Sequence, residues 1–216
     1  MALALPIPYE LLNDAPEEDT GIKKWLWTIE AYHRAVDLGF LKEDDRIELL
    51  RGELYEKLPQ NPPHYYALLV IAKSLDRSFG SRFNTRIQGP ITLPDHSEPE
   101  PDVVVVRGSI SKFAEQHPGP TDIALIVEIS DTTLRTDVGL KASIYSEAGI
   151  SEYSVVNIPQ RRIESYREPT SDEDGNWIYR LISVYRERET IQPLASAKPV
   201  RIAKLFPAKE GARKLV

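Results

Sequence analysis

The sequence predicts one domain of the α/β (α+β) class, in which helices pack on a central mixed β-sheet. Residues 103–106 and 123–127 form continuous aliphatic runs, which are typical of strands covered on both faces. Apolar residues recur at the helical period in segments 62–80 and 137–148, which lie between strands. Strands that alternate with helices predict helix layers on a sheet, and 216 residues suffice for one substantial core.

Caps and turns mark the elements of the N-terminal part. Residues 1–24 contain three prolines and an acidic turn, which predicts an irregular N-terminal arm. A first helix is predicted from its cap at Thr28 to its stop at Gly39. Residues 46–50 and 53–58 then predict a β-hairpin.

The middle of the chain predicts a long helix followed by strands. Two consecutive prolines suit the first turn of a helix over residues 62–80. Strands are predicted over residues 82–88 and 90–93, and the first aliphatic strand opens at Asp102. A short helix is predicted near residues 111–116.

The C-terminal half repeats the alternation of strand and helix. A second aliphatic strand is predicted over residues 123–130, and a helix over residues 137–148 ends at Gly149. Further strands are predicted over residues 152–158, 161–167, 177–185 and 200–206. We therefore expect the domain to span residues 25–206, with a C-terminal tail over residues 207–216.

Composition narrows the possible functions. The net charge of -6 argues against a protein that coats nucleic acids non-specifically, because such binding depends on lysine and arginine neutralising phosphates. The absence of cysteine excludes disulfides, thiolate zinc sites and cysteine nucleophiles. The apolar start of the chain has no basic flank and is too short for a signal peptide or a membrane span. We expect a cytoplasmic protein with no membrane partner.

Two carboxylates stand on the aliphatic strands. Asp102 opens the first strand and Glu128 lies near the end of the second. Acids are rarely buried on strands without a partner, and two neighbouring acids repel each other unless a cation lies between them. A cation site is the first hypothesis. The alternative is that both acids merely mark strand ends and face water.

The predicted helix after Glu128 carries three polar residues four positions apart. Asp137, Lys141 and Tyr145 should therefore project from one face, where Lys141 can reach back towards the end of the Glu128 strand. The alternative is an ordinary surface pair of Asp137 with Lys141, worth roughly a few tenths of a kcal/mol.

The order and spacing of these residues resemble those of the Uma-two family of restriction-endonuclease-like proteins. The likeness covers residues 28–167 and rests on the following: Arg46-Ile47-Glu48-Leu49 with Gly52-Glu53, His64, Pro101-Asp102, Val127-Glu128-Ile129, Asp137, Lys141, Tyr145, and Gly149-Ile150-Ser151-Glu152-Tyr153.

The resemblance implies the PD-(D/E)XK nuclease fold, a restriction endonuclease-like fold with a central mixed sheet flanked by helices. It also implies magnesium, or manganese, held by Asp102 and Glu128, with Glu48 as an extra N-terminal acid. Ser130 stands where the strict signature has lysine, so the resemblance points to Lys141 in the following helix as the catalytic lysine.

Three further residues match family positions without a firm role. His64 is a candidate proton donor to the leaving oxygen, or a residue of the helix N-terminus without catalytic function. Asp137 is a candidate supporting acid. Tyr145 is expected to pack in the core, with its hydroxyl supporting Lys141 or Glu128. For Glu48, the alternative to metal binding is that it is a charged residue of the hairpin without a catalytic role.

The preferred function is a metal-dependent endonuclease that hydrolyses phosphodiester bonds of DNA. Hard magnesium prefers oxygen ligands, so Asp102 and Glu128 suit it. Protonated Lys141 is expected to orient the attacking water and to stabilise the transition state. A homodimer is expected because two-fold symmetry suits the cutting of both strands. The alternative is a nucleic-acid-binding or regulatory protein that keeps the nuclease fold with little or no turnover.

Overall fold

A computed structural model describes residues 23–94 and 96–207. Most of the predicted N-terminal arm and nearly all of the predicted C-terminal tail lie outside these residues. Among the described residues, no helix is long and apolar enough to cross a bilayer.

The centre of the fold is a six-stranded mixed sheet. Its strands lie in the order β3-β4-β5-β6-β7-β8. They are β3 (Phe83–Ile87), β4 (Val103–Arg107), β5 (Ile123–Ser130), β6 (Glu152–Asn157), β7 (Arg162–Ser171) and β8 (Trp177–Arg186). Only β5 and β6 are parallel neighbours, and the other pairs in this sheet are antiparallel. The predicted mixed α+β class is confirmed.

Helices cover the sheet on both faces. Along the chain, α1 (Ile29–Asp37) and α2 (Pro62–Phe79) precede the strands of this sheet. Between β5 and β6 the chain forms one helical crossover made of α3 (Leu134–Thr136), a π-helical turn (Asp137–Lys141) and α4 (Ala142–Glu147). A crossover of this kind is what a parallel strand pair requires.

The valines of β4 divide between the two core layers. Val103 and Val105 pack in the cluster that α2 covers, whereas Val104 and Val106 pack in the cluster that α4 covers. This alternation follows from the two-residue period of a strand. It explains why a strand covered on both faces is apolar at every position.

A separate hairpin lies beside the sheet, formed by β1 (Ile47–Leu50) and β2 (Glu53–Glu56). Arg51 and Gly52 at its tip both have positive φ, of 49° and 79°, as a type I′ turn requires. A Cβ on Gly52 would lie 2.7 Å from the Cβ of Leu26, so glycine also permits the close approach of the preceding chain.

Two predicted segments differ in the structure. Residues 90–93 form an isolated bridge between Leu93 and Ser97 instead of a strand, since prolines at positions 90 and 94 lack the N–H that a ladder needs. The predicted short helix is a 3₁₀ turn, Ile110–Phe113.

Two boundaries were also wrong. The crossover helix begins at Leu134, before the predicted start at residue 137. The predicted strand over residues 200–206 is reduced to β10 (Val200–Arg201), which pairs with β9 (Thr190–Ile191) and leads into a 3₁₀ turn.

Candidate active site

The structure brings the predicted site residues together at one cleft of about 290 Å³. Six of them line it: Glu48, His64, Asp102, Glu128, Asp137 and Lys141. Tyr145 is fully buried, and its hydroxyl donates to Glu128 at 2.8 Å. Residues far apart in the sequence thus meet where β4 begins and β5 ends.

Strand register places the two acids side by side. Val103 pairs with Val127, so Asp102 lies next to Glu128 on the neighbouring strand. The backbone N–H of Asp102 donates to Glu128 Oε2 at 3.3 Å. The residues are 8% and 3% exposed, which excludes the alternative that both carboxylates face water.

Each acid has one firmly held oxygen and one weakly held oxygen. Asp102 Oδ2 accepts from the N–H of Ile129 at 2.8 Å and lies 3.1 Å from Nε2 of His64. Its Oδ1 accepts only a long hydrogen bond, at 3.3 Å, among the bonds of the described residues, from the Gln88 side chain.

Glu128 repeats this asymmetry. Its Oε1 lies 3.0 Å from Lys141 Nζ and 2.8 Å from the Tyr145 hydroxyl, whereas its Oε2 has the long bond from the Asp102 N–H. Lone pairs therefore remain available on Asp102 Oδ1 and Glu128 Oε2.

Lys141 is a buried ammonium between two carboxylates. Its Nζ lies 3.0 Å from Glu48 Oε1 and 3.0 Å from Glu128 Oε1, and the residue is 6% exposed. Lys141 is therefore not part of a surface pair. The second oxygen of Glu48 accepts the backbone N–H of Glu100 at 3.1 Å, so both Glu48 oxygens have donors.

A π-helical turn delivers Lys141 to this position. The N–H of Ala142 bonds to the carbonyl of Asp137, five residues earlier. The Tyr153 hydroxyl donates to the same carbonyl at 3.0 Å, and Thr133 Oγ1 donates to Asp137 Oδ2 at 2.6 Å. π turns in helices are frequent at functional sites.

The pKa values of the buried acids shift in different directions: those of Glu128 and Asp137 are raised, and that of Asp102 is lowered. Burial raises the pKa of Glu128 to about 8, although Lys141 opposes the shift. Burial likewise raises the pKa of Asp137 to about 6. Burial also acts to raise the pKa of Asp102, but the hydrogen bond and charge of His64 outweigh it, so the net pKa is lowered.

The two cationic groups have raised pKa values. Burial disfavours the charged form of Lys141, but the charges of Glu128 and Glu48 outweigh it and hold the pKa well above its usual value. For His64, burial lowers the pKa, but the hydrogen bond of its Nε2 to Asp102 and the negative charge of Asp102 raise it by more. Both cations are therefore stabilised by a surplus of negative charge.

That surplus fits a divalent cation. Seven carboxylates line the cleft, against three lysine or arginine side chains. No group of three or more His, Cys, Asp or Glu side chains among residues 23–94 and 96–207 is arranged to hold a metal ion. Two carboxylate oxygens nevertheless suit magnesium, which usually keeps several waters and takes few protein ligands.

Several contributors were not anticipated from the sequence. Asn61, the cap of α2, accepts the N–H of His64 at 3.0 Å and donates to Asp131. Thr133, four residues before Asp137, has a spacing that sequence analysis can detect. Gln88 reaches Asp102 only through sheet pairing and has no such signal.

Comparisons with known proteins agree with this geometry. A profile of the Uma2 family, described as "Putative restriction endonuclease", matches residues 29–200. No curated protein matches the chain. The fold is similar to a solved structure described as that of "a putative nuclease belonging to DUF820 from Anabaena variabilis ATCC 29413". That likeness has a TM-score of 0.61 and 14% identity, and it covers 79% of this chain and 94% of the other.

The solved structure supports a nuclease-like fold, and the family profile spans most of the chain. The family predicted from the order of the motifs is confirmed. The chain belongs to the Uma2 family, whose description is "Putative restriction endonuclease".

Proposed function

We propose that the protein is a magnesium- or manganese-dependent endonuclease that hydrolyses phosphodiester bonds of DNA. Family and fold support a nuclease. Metal-dependent catalysis is supported above all by the buried Lys141 ammonium, which lies 3.0 Å from Glu128 and beside the Asp102 carboxylate in an acidic cleft.

The proposed ligands of the metal are the weakly held oxygens, Asp102 Oδ1 and Glu128 Oε2, with the carbonyl of Ile129 and several waters. A bound divalent cation would supply Lewis acidity against the charge that grows on the phosphoryl oxygens. Glu48 is proposed as a third acid, which can reach a cation near Lys141. Because both of its oxygens already have donors, we expect its share of binding to be smaller than that of Asp102.

Lys141 is proposed to act directly on the reacting groups. Its ammonium can donate to the attacking water and to the phosphoryl oxygens, which orients the water and stabilises the transition state. Glu128 and Glu48 hold the Nζ atom from two sides, and the Tyr145 hydroxyl fixes Glu128. This arrangement is already set before substrate binds.

His64 is proposed as the proton donor to the leaving oxygen. It lines the cleft, and its hydrogen bond and charge interaction with Asp102 raise its pKa by more than burial lowers it. A raised pKa favours the imidazolium form, which can donate a proton. Asp137 is proposed to act through its charge on Lys141, since its carboxylate is occupied by Thr133.

The pairing of Lys141 with two acids favours a second candidate function, a regulatory protein with little turnover, or one that binds nucleic acid outside this cleft. Lys141 is already neutralised by Glu48 and Glu128, so without a metal the cleft repels a phosphate. The two functions differ in whether divalent metal converts the cleft into a catalyst. As an endonuclease, the protein is proposed to act as a homodimer.

The test is cleavage of supercoiled, linear and single-stranded DNA by the purified chain with magnesium or manganese. Asp102→Asn, Glu128→Gln and Lys141→Met should each reduce cleavage by at least about 100-fold, as expected for groups that act on the transition state. Glu56→Gln is the matched control, because Glu56 lines the same cleft outside the Lys141 network. Cleavage that survives all three changes would refute the site, and metal-independent DNA binding without cleavage would favour the second function.

A further inference from the structure

Gln88 has a strained backbone next to the candidate site. Its φ is 48°, in the left-handed region that glycine and asparagine favour and glutamine seldom adopts. It follows the last residue of β3 and precedes Gly89. Strain of this kind tends to persist where the surrounding structure or a function requires it.

Gln88 contacts Asp102 twice. Its backbone N–H donates to the carbonyl of Asp102 at 3.1 Å, and its side-chain Nε2 donates to Asp102 Oδ1 at 3.3 Å. The first bond extends the pairing of β3 with β4 by one residue. The second bond reaches the weakly held oxygen that is proposed to face the metal.

The side chain acts from behind the site. Gln88 does not line the cleft, whereas Asp102 does. Oδ2 of Asp102 is already fixed by Ile129 and His64, so the amide of Gln88 is what limits rotation of the carboxylate at its other oxygen. Partners that hydrogen-bond a ligating carboxylate orient it for its metal.

We propose that Gln88 is a positioning residue for Asp102, which holds Oδ1 so that its remaining lone pair faces the cleft. The role rests on the proposed function, because it presupposes that Asp102 binds a divalent cation. Glycine would satisfy the backbone at this position with less strain, so the turn alone does not account for a glutamine side chain.

The experiment measures binding of Mn²⁺ alone to the full chain by titration calorimetry, together with thermal unfolding without metal. The variants are Gln88→Met, which removes the amide at similar length, and Gln88→Gly, which also relieves the backbone. Glu168→Gly is the matched control, because Glu168 also has positive φ, of 62°, but lies on β7 and pairs with Arg180. Asp102→Asn tests the ligand itself.

Both Gln88 variants should bind Mn²⁺ at least about 10-fold more weakly than the original chain, which is the usual effect of losing an outer partner of a ligand. Gln88→Gly should unfold at the same or a higher temperature than the original chain. Glu168→Gly should leave Mn²⁺ affinity unchanged. Loss of affinity without loss of stability is what a merely structural residue would not produce.

Three results would overturn the inference. If Gln88→Gly binds Mn²⁺ as tightly as the original chain while Asp102→Asn does not, Gln88 only ends a strand and the proposed function stands. If Gln88→Gly loses stability and affinity in parallel, its role is structural. If the original chain fails to bind Mn²⁺, or Asp102→Asn binds it equally well, the metal proposal fails together with this one.

Discussion

At the scale of single residues, Lys141 is the cation on which the buried acids depend. Glu48 and Glu128 are both in contact with it, and Asp137 adds to the negative charge around it. A buried ion pair contributes little net stability, but removing one partner leaves an uncompensated charge. We therefore expect Lys141 to stabilise the folded chain as well as to be a candidate catalyst.

Lys141→Met should destabilise the metal-free protein by roughly 3–5 kcal/mol at neutral pH, because it strands buried carboxylates. Urea unfolding measures this loss. Lys112→Met is the control, since Lys112 pairs with Asp122 at the surface and such pairs contribute about 1 kcal/mol or less. Equal effects of the two changes would contradict the view that Lys141 neutralises the cluster.

Stability of the metal-free protein should fall as pH rises from about 4 to 8. Burial raises the pKa of Glu128 from 4.5 to about 8 and that of Asp137 from 3.8 to about 6. A carboxyl group with a raised pKa binds protons more tightly in the folded chain, so its contribution is present at low pH and is lost as pH rises through that pKa.

Urea unfolding in EDTA across this pH range tests the expectation. Glu128→Gln should flatten the slope between about pH 6 and 8, where folded Glu128 still holds the proton that the unfolded chain has already lost. Asp102 has a lowered pKa, so its stabilising contribution is lost only in more acidic solution. A slope that is unchanged in Glu128→Gln would assign the pH dependence to other groups.

At the scale of elements, the π-helical turn decides where the helix side chains point. The spacing of Asp137, Lys141 and Tyr145 predicted one shared face, from which Lys141 can reach back towards the Glu128 strand. In the structure, Lys141 and Tyr145 both contact Glu128. The extra residue in the turn had no sequence signal beyond Gly139, which is a poor helix former. The predicted start was three residues late, because the helix begins at Leu134 after Thr133, whose side chain forms no capping hydrogen bond.

Deletion of Gly139 should convert the π turn into a regular helix and shift Lys141 against Tyr145. We expect retained helical circular dichroism with at least about a 100-fold loss of metal-dependent cleavage, because even small misplacement of reacting groups is costly. Deletion of Glu173, at the exposed turn between β7 and β8, is the control. Full activity after deletion of Gly139 would show that the turn has no part in placing Lys141.

At the scale of the whole molecule, periodicity predicted the sheet and helices better than it predicted their edges. The aliphatic runs of β4 and β5 specified a layer covered on both faces, and the structure confirms it. Gln88 could not be predicted, because its contact with Asp102 depends on the register of β3 against β4.

The acidic cleft leads to an expectation about DNA affinity. In EDTA at about pH 9, where both carboxylates are ionised, the double change Asp102→Asn with Glu128→Gln should bind a short duplex about 10-fold more tightly than the original chain, because neutral side chains relieve repulsion of the phosphates. Fluorescence anisotropy at fixed salt measures this difference. Unchanged binding by the double variant would mean that DNA does not approach the acids.

The crossover between β5 and β6 also sets when the site can exist. Strands β4 and β5 leave the ribosome before the helix that carries Lys141, and α4, the last part of that helix, packs on β7 and β8, which are synthesised later still. A nascent chain that ends before β8 is complete, at Arg186, therefore has both acids but lacks part of the support of this helix. The candidate site should therefore be complete only after most of the chain has been synthesised.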